Sequence, residues 1–398
     1  MIGPTTLHVS GSRFLATYAI AGPPDAARGR AEAIAVEQTI EFPADLIADD
    51  DIRRHVIGRI ESVNGAGRDV SLVRMSYAVE TAGGELPQLL NVLFGNCSLY
   101  PGVRLVGLDL PPDLLGRFPG PRFGVPGLRA LLGVPTRPLL TTALKPMGLD
   151  AAAFAEIADT LVRGGVDIIK DDHGLANQPF APWEERVRAC AAAVRRADEV
   201  TGSRTLYMPS LNGPADEIAE RARIARDAGA GGLLVLPGLA GLDTMRWLAS
   251  DDALGLPIMG HPAFMGSFVI GKDAGIEHGL LLGTIFRLAG ADLVVFPSYG
   301  GRFSFGRDAC ASIARACRAP LGHMPAIFPA PGGGMTLDRV EEIHAFYGSD
   351  TALLVGGDLH RGDLLANVAR MRAAVETQAP EMPAAETPTA DGGTSGGA

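Results

Sequence analysis

Four side chains that can carry charge or bind a metal follow a short apolar run near the middle of the chain. Residues 166–169 are too short for a helix and rich in β-branched side chains, so they are predicted to form a buried strand. Lys170, Asp171, Asp172 and His173 come directly after it. Such groups are costly at the end of a buried strand unless they pair or hold a metal. The spacing predicts a metal or acid–base site, although the motif alone would also fit a solvated loop that caps the next helix.

This stretch resembles the metal-binding segment of the Rubisco superfamily. The matching residues lie between 164 and 180 and read G-G-x-D-x-x-K-D-D followed by N-Q-P-F. Other matching pieces occur in the superfamily's order: Gly95-Asn96, residues 142–148 (TALKPMG), Gly260-His261, Gly300-Gly301-Arg302, Gly332-Gly333 and Gly356-Gly357. The resemblance spans residues 10–375. The chain is therefore identified as a Rubisco-like protein, of the branch that does not fix carbon dioxide.

The resemblance implies one Mg²⁺ ion per site, held by Lys170 as a carbamate, Asp172 and His173. The third position departs from the family, which usually has Glu there. Imidazole is a softer ligand than carboxylate, so the preferred metal stays open, and His173 could instead point away and cap the loop. A divalent cation in this place would stabilise an enediolate, whose negative charge spreads over two adjacent oxygens.

The same resemblance implies roles for three further side chains. Lys145 would be a general acid–base, which requires its pKa to be lowered by burial or by a nearby cation. His261 would contact substrate hydroxyls. Arg302 would bind a substrate carboxylate or phosphate from a mobile lid loop, because its planar guanidinium suits such groups. The alternatives are a surface lysine, a core histidine and an ordinary loop arginine.

The phosphate-binding positions predict how many phosphates the substrate carries. Gly332-Gly333 and Gly356-Gly357 match the backbone phosphate site after the last two strands of such barrels, with plain turn geometry as the alternative. The family's other phosphate site uses Arg, His and Ser, where this chain has Pro262, Phe296 and Pro331. A second phosphate would be desolvated without partners. The resemblance therefore implies a monophosphorylated keto sugar or keto acid sugar.

These departures leave three hypotheses for the function. Met147 replaces the second lysine of the carboxylases, which argues against CO₂ fixation. The main hypothesis is decarboxylation, or carboxyl transfer with hydrolysis, of a 3-oxo acid sugar phosphate (3-oxo-isoapionate 4-phosphate type), because Arg302 suits a carboxylate and His173 breaks the salvage enolase's metal pattern. The alternative is an enolase or isomerase of a methylthio-pentulose phosphate in methionine salvage, whose methylthio tail would suit the apolar residues at the lost phosphate site. The third is a non-catalytic regulatory relative, which the retained lysines argue against.

Two residues of the amino-terminal region imply a shared site. In the resembling family, the residues that match Glu37 and Asn96 reach across a dimer interface and complete the neighbour's site. Glu37 would ion-pair with Arg302, and Asn96 would contact the metal or a substrate hydroxyl. The resemblance thus implies a homodimer or a multiple of dimers, whereas Glu37 could also be a carboxylate on a helix face.

The elements that must position these residues predict two domains. Residues 1–120 alternate strands with two helices and are predicted to form a small α+β, ferredoxin-like domain. Prolines between 111 and 126 indicate a connector. Residues 121–376 contain eight strand-like runs alternating with amphipathic stretches, the pattern of a (β/α)₈ TIM barrel. Residues 377–398 lack periodicity and are predicted to be a disordered tail.

Composition excludes several classes of partner. The formal net charge is −10 without a Lys/Arg cluster, so nucleic acid and anionic membrane are not expected partners. No apolar run is long enough to span a membrane, and no signal peptide is expected. Four scattered cysteines fit a reducing compartment. The expected location is the cytoplasm.

Overall fold

The computed structural model describes residues 7–67 and 69–378, so the predicted tail beyond residue 378 lies outside the described residues. The strands are β1 (Arg13–Ala21), β2 (Arg59–Gly65), β3 (Val70–Ala78), β4 (Val103–Asp109), β5 (Leu139–Leu144), β6 (Ile168–Asp171), β7 (Leu206–Met208), β8 (Leu233–Val235), β9 (Ile258–Gly260), β10 (Gly275–Ile276), β11 (Leu293–Pro297), β12 (Phe328–Gly332) and β13 (Ala352–Val355).

The α-helices are α1 (Pro24–Glu37), α2 (Val79–Ala82), α3 (Leu86–Phe94), α4 (Pro112–Leu115), α5 (Gly124–Leu132), α6 (Ala151–Arg163), α7 (Trp183–Thr201), α8 (Ile218–Ala228), α9 (Pro237–Ala240), α10 (Leu242–Ser250), α11 (Gly266–Val269), α12 (Phe286–Leu288), α13 (Arg307–Arg318), α14 (Val340–Tyr347) and α15 (Leu364–Glu376). Single 3₁₀ turns cover Ala44–Leu46, Asn96–Leu99, Leu337–Arg339 and Gly357–His360, and π-helical turns cover Ile52–Val56 and Leu280–Ile285. None of the helices in the described residues is long and apolar enough to cross a membrane.

The amino-terminal strands form an antiparallel sheet in the order β4-β1-β3-β2. Alternate residues of β1 from Phe14 to Ile20 are fully buried, because a strand covered on one face shows a period of two. With α1 after β1 and α3 before β4, the connectivity is that of a ferredoxin-like domain, which confirms the predicted fold. The short strand β10 pairs parallel with β4 and joins this sheet to the rest of the chain.

The remaining strands form one eight-stranded parallel sheet in the order β7-β6-β5-β13-β12-β11-β9-β8. A parallel bridge between Ser210 and Leu234 joins its two ends and closes the barrel. All eight runs that were predicted as barrel strands are strands. They read as continuous apolar segments because strands of a closed parallel sheet are buried on both faces.

The barrel interior is closed at its amino-terminal end by helix α5. Leu128 on this helix is fully buried and packs in one cluster with the inward-facing Leu293, Val295 and Phe328 of the strands. The Val125 N–H donates to the Ala326 carbonyl at 2.7 Å, which fixes the helix to the start of β12. The sequence indicated only a connector here, because Pro126 and nearby glycines weaken the helical pattern. The proposed domain boundary at residue 120 stays a prediction.

A fully buried ion pair fixes strand β6, which carries the predicted metal-binding lysine. Arg186 Nη2 on α7 lies 3.2 Å from Asp171 Oδ2, and both side chains have no exposed surface. Tyr207 donates its hydroxyl to Asp171 Oδ1 at 2.8 Å, and the Ser210 N–H donates to Oδ2 at 3.1 Å. The pair therefore holds β6 against both α7 and the neighbouring strand β7.

We expect Asp171→Ala to lower the free energy of unfolding by about 3–5 kcal/mol, because it leaves Arg186 buried without its carboxylate. Urea denaturation followed by tryptophan fluorescence measures this, since Trp183 lies at the start of α7. Asp159→Ala is the matched control: its i,i+4 pair with Arg163 is solvent-exposed, so its loss should leave the free energy of unfolding nearly unchanged. Equal losses in the two variants would contradict this role of Asp171.

Candidate active site

Five predicted site residues meet at the carboxyl ends of three barrel strands. Lys145 follows β5, Lys170 lies in β6 with Asp172 and His173 just beyond it, and His261 follows β9. Parallel strands of a closed barrel end at the same rim, which brings these distant parts of the chain together. Lys145 Nζ lies 3.3 Å from Asp172 Oδ1. His173 Nδ1 lies 3.5 Å from the same oxygen, and its ring stacks on that of His261 with centroids 4.8 Å apart.

Lys170 is buried at this rim. Its Nζ donates to the Asp171 carbonyl at 3.0 Å, and no carboxylate of the described residues forms an ion pair with it. Burial lowers the pKa of Lys170 to about 8, with the charge of Asp172 opposing this shift and that of Lys145 adding to it. A considerable fraction of this amine is therefore neutral at mildly alkaline pH, which is the form that can react with CO₂ to give a carbamate.

Asp172 is ionised, whereas His261 is neutral. Burial alone would raise the pKa of Asp172, but the hydrogen bond from His173 and the charges of Lys170 and Lys145 hold it well below its usual range. Burial, followed by the charge of Lys170, places the pKa of His261 well below its usual value. His261 is thus neutral, and its Nδ1 accepts the Ala263 N–H at 3.1 Å, which places the ring proton on Nε2. Asp172 can attract a cation, while His261 can donate a hydrogen bond to substrate.

The donor set fits a divalent cation only if Lys170 takes part. The described residues contain no group of three or more His, Cys, Asp or Glu side chains placed to hold a metal. Asp172 and His173 supply two donors side by side, and a carbamate on the neighbouring Lys170 would supply a third through oxygen. Hard cations such as Mg²⁺ prefer oxygen ligands, so the carbamate is the group on which the predicted metal site depends.

The rarity of lysine in this chain also draws attention to Lys145 and Lys170. The chain has 35 Lys and Arg residues, and only three of them, Lys145, Lys170 and Lys272, are lysines. Arginine stays charged at any physiological pH, so it can serve neither as a base nor as a carbamate. Two of the three lysines therefore occupy the positions where the predicted acid–base and carbamate roles would require an amine that can lose its proton.

The glycine pairs of the predicted phosphate site lie after neighbouring strands. Gly332 ends β12 and pairs with Leu354 of β13, and Gly356 and Gly357 follow β13 directly. A Cβ atom added at Gly333, Gly356 or Gly357 would meet no atom within 4 Å. The space beside these glycine backbones is therefore unobstructed, as the predicted approach of a phosphate to the backbone requires. Their role in binding phosphate stays a prediction.

Three predicted contributors lie apart from the cluster. Arg302 is on an exposed loop, where its guanidinium lies 5.0 Å from the ring centroid of Phe303. Glu37 and Asn96 contact each other within one chain, since Asn96 Nδ2 donates to Glu37 Oε1 at 2.9 Å. This contact presents both side chains together at the surface of the small domain. Their predicted reach into a partner subunit is not tested by a single chain.

The interpretation of Phe296 as part of an apolar patch facing the substrate is wrong. Phe296 is fully buried and packs against the ring of Tyr347 on α14, with centroids 6.0 Å apart. It alternates along β11 with Val295, which points into the barrel interior. The side chain therefore belongs to the layer between the strands and the helices and cannot line the site.

Sequence reasoning missed His360, which follows Gly356-Gly357 closely. Its Nε2 is buried and has no hydrogen-bond partner among the described residues. Burial lowers the pKa of His360, and the charge of Lys145 lowers it further, which places the two groups near each other. The available signal was a histidine three residues after a glycine pair at the end of the last strand.

The family model for the ribulose bisphosphate carboxylase large chain, catalytic domain, matches residues 124–386. The chain belongs to the Rubisco large-chain family. It is 42% identical to ribulose bisphosphate carboxylase-like protein 1 of Rhodopseudomonas palustris, over 87% of this chain and 92% of that protein. It is 40% identical to the 5-methylthioribulose-1-phosphate isomerase of Rhodospirillum rubrum, over 87% of this chain and 91% of that protein.

Other relatives of this chain are named as enolases rather than as an isomerase. The 2,3-diketo-5-methylthiopentyl-1-phosphate enolase of Geobacillus kaustophilus is 36% identical over 88% of each chain. Among solved structures, a Rubisco-like protein from R. palustris superposes with a TM-score of 0.84, at 40% identity, over 92% of this chain and 98% of that one. The dimeric archaeal Rubisco of Hyperthermus butylicus gives a TM-score of 0.83 at 26% identity, over 94% and 92%.

We expect Lys170 to form a carbamate more readily as pH rises. With a folded-state pKa of about 8, the neutral fraction of the amine rises from about 10% at pH 7 to about 90% at pH 9. Carbon-13 NMR with labelled bicarbonate, at a fixed concentration of dissolved CO₂, measures the carbamate signal. Lys170→Met should remove the signal and Lys272→Arg should leave it, and a signal that persists in Lys170→Met would assign the carbamate elsewhere.

Proposed function

We propose that this Rubisco-like protein removes a proton beside the carbonyl of a monophosphorylated methylthio-pentulose, as an enolase or isomerase. The observation that carries the proposal is the pairing of Lys145 with Asp172 at 3.3 Å, beside buried Lys170 and neutral His261. This arrangement combines an amine at the reaction face, a carboxylate that attracts a cation and a hydrogen-bond donor. The names of the relatives support the same chemistry, and they favour it over the 3-oxo acid sugar phosphate of the main sequence hypothesis.

Each side chain of the cluster has a distinct part in the proposed reaction. Lys145 accepts the proton from the carbon next to the carbonyl and returns it to the enediolate, as a general acid–base does. His261 donates its Nε2 proton as a hydrogen bond to the oxygen on which charge develops. Asp172, His173 and the Lys170 carbamate would hold Mg²⁺, which supplies Lewis-acid stabilisation of the enediolate. The glycine loops after β12 and β13 bind the single phosphate.

One observation keeps the main sequence hypothesis as a second candidate. No carboxylate of the described residues pairs with Arg302, so its guanidinium is available to a substrate carboxylate. A 3-oxo acid sugar phosphate would offer that group, and its decarboxylation passes through the same type of enediolate. The two candidates differ in the bond that breaks, which makes them separable by experiment.

Proton exchange with solvent tests the proposed function. In D₂O with Mg²⁺ and bicarbonate, we expect the wild type to exchange carbon-bound hydrogen of 5-methylthioribulose 1-phosphate, as measured by proton NMR. Asp172→Asn and Lys145→Met should each slow the exchange about 100- to 1,000-fold, because several kcal/mol of stabilisation are lost. Asp159→Asn, on the exposed face of α6, should exchange like the wild type.

The outcomes separate the three hypotheses. No exchange, but CO₂ release from a 3-oxo acid sugar phosphate that depends on Arg302, would replace the proposal by the second candidate. Inactivity towards both substrates in a fully carbamylated protein would support a non-catalytic relative. Exchange that survives in Asp172→Asn at saturating Mg²⁺ would show that the site is elsewhere.

We further propose a homodimer in which Glu37 and Asn96 complete the partner's site. Asn96→Ala and Lys170→Ala would then damage different halves of one shared site. Each variant alone should be inactive, whereas co-expression should restore up to about half of wild-type activity in the mixed dimer, which holds one undamaged site. Mixed dimers that form and stay inactive would leave Asn96 with a structural role only.

A further inference from the structure

Two loops at the rim of the barrel pack directly against each other. The lid loop, residues 300–306, lies between β11 and α13 and carries Arg302. The phosphate loop, residues 332–336, begins at the last residue of β12. A Cβ atom at Gly334 would lie 3.3 Å from Gly301 Cα, and one at Gly301 would lie 3.3 Å from the Gly333 carbonyl oxygen. The two backbones are therefore in contact at glycines, where larger side chains would separate them.

Arg339 contacts both loops with one guanidinium. Its Nη1 donates to the Gly334 carbonyl of the phosphate loop at 2.8 Å. The same group lies 5.5 Å from the ring centroid of Tyr299, the residue that precedes the lid loop. A Cβ atom at Gly300 would lie 3.5 Å from its Nη2. A shift of either loop must therefore move or break a contact of Arg339.

Glu342 on α14 holds both Arg339 and Tyr299 in place. Arg339 Nε donates to Glu342 Oε2 at 3.0 Å, and the Tyr299 hydroxyl donates to Oε1 at 2.9 Å. Tyr299 is 6% exposed, and Arg307 at the start of α13 stacks on its ring at 4.4 Å. We call these four residues the clamp: Tyr299, Arg307, Arg339 and Glu342. The clamp lies at the base of both loops and touches neither Lys145 nor Asp172 through any contact in the described residues.

We propose that Arg339 is a positioning residue that couples an anion in the phosphate loop to the position of the lid loop. The inference rests on the proposed phosphate site. It adds the contacts through which a bound phosphate fixes the position of the loop that carries Arg302. Gly333 and Gly334 have φ of +82° and +69°, a conformation that glycine adopts without strain and that leaves the loop several alternatives when empty. A bound phosphate orders this backbone and fixes the position of the Gly334 carbonyl. Because Arg339 donates to that carbonyl, its guanidinium is fixed as well, and with it the positions of Tyr299 and Gly300.

Trypsin and inorganic phosphate test the coupling without any substrate. Arg302 and Phe303 are exposed, so the bond between them is a site for trypsin, and mass spectrometry identifies this cut among others. In the wild type, saturating phosphate should raise the melting temperature and slow cleavage after Arg302 by about 5-fold or more. In Arg339→Gln, phosphate should still raise the melting temperature but should no longer slow this cleavage.

Two variants accompany the test. Arg223→Gln is the matched control, because Arg223 forms only an exposed pair with Glu220 on α8, and it should behave like the wild type. Tyr299→Phe keeps the ring and removes the hydroxyl that donates to Glu342, so it should lose part of the protection. It carries the test if Arg339→Gln does not fold.

Each result separates the proposed phosphate site from the proposed coupling to the lid loop. Phosphate that stabilises the wild type without protecting the lid, or that protects Arg339→Gln as well as the wild type, overturns the coupling and leaves the phosphate site standing. Loss of both responses in Arg339→Gln also overturns it, since Arg339 would then only shape the site. A wild type that does not respond to phosphate at all overturns the phosphate site and the coupling with it.

Discussion

The buried ion pair between Asp171 and Arg186 sets the direction in which strand β6 presents its side chains. Neighbouring residues on a strand point to opposite faces. Asp171 is held by Arg186 in the helix layer, so Lys170 must point into the barrel interior, on the same face as Ile168. A shift of one residue in this strand would exchange the two and remove the amine from the site. The predicted metal chemistry thus depends on an ion pair that itself takes no part in it.

The crowding of basic groups at one rim, with Lys170 and His261 desolvated, gives the site its chemical character. Lys145, Lys170 and His261 lie together with Asp172, whose carboxylate is the acidic group of the cluster. Desolvation and mutual repulsion favour the neutral form of Lys170 and of His261. The neutral Lys170 can take up CO₂, and the neutral His261 can donate a hydrogen bond without adding charge. A carbamate on Lys170 would bring negative charge into this cluster, and together with Asp172 it would supply the charge that a divalent cation needs.

The phosphate loop and the lid extend this site outwards along the rim. The two loops contact each other through glycines and through Arg339, which is the basis of the proposed coupling between phosphate binding and the position of Arg302. Retention of the glycine pairs, together with the loss of cationic residues at the second phosphate position, fits a substrate with one charged end. Phe296 is buried in the outer layer and does not form an apolar wall at the site, so the proposed methylthio group would have to contact other side chains.

Much of the fold could be predicted because its elements have strong local patterns. The eight strand-like runs between residues 121 and 376 all form strands, and the amino-terminal region forms the predicted mixture of strands and helices. Helix α5 was missed because its proline and glycines resemble a connector, and its helical form depends on packing under the barrel. Residue types and spacing indicated the stretch from Lys170 to His173, and the family resemblance indicated the other site residues. The only signal for His360 was its place after a glycine pair, and the clamp carries no local signal.

The sequence by itself determined which residues follow each strand, and therefore which groups reach the carboxyl rim once a parallel barrel closes. It also indicated the kind of chemistry that we propose, because lysines stand where that chemistry would need a neutral amine and glycine pairs stand where backbone N–H groups would bind phosphate. Only the tertiary structure decided the distances between groups far apart in the chain, such as Lys145 and Asp172. It also decided the direction of Phe296 and the charge states of Lys170 and His261. These properties depend on burial and on neighbours from other strands, and no local pattern records either of them.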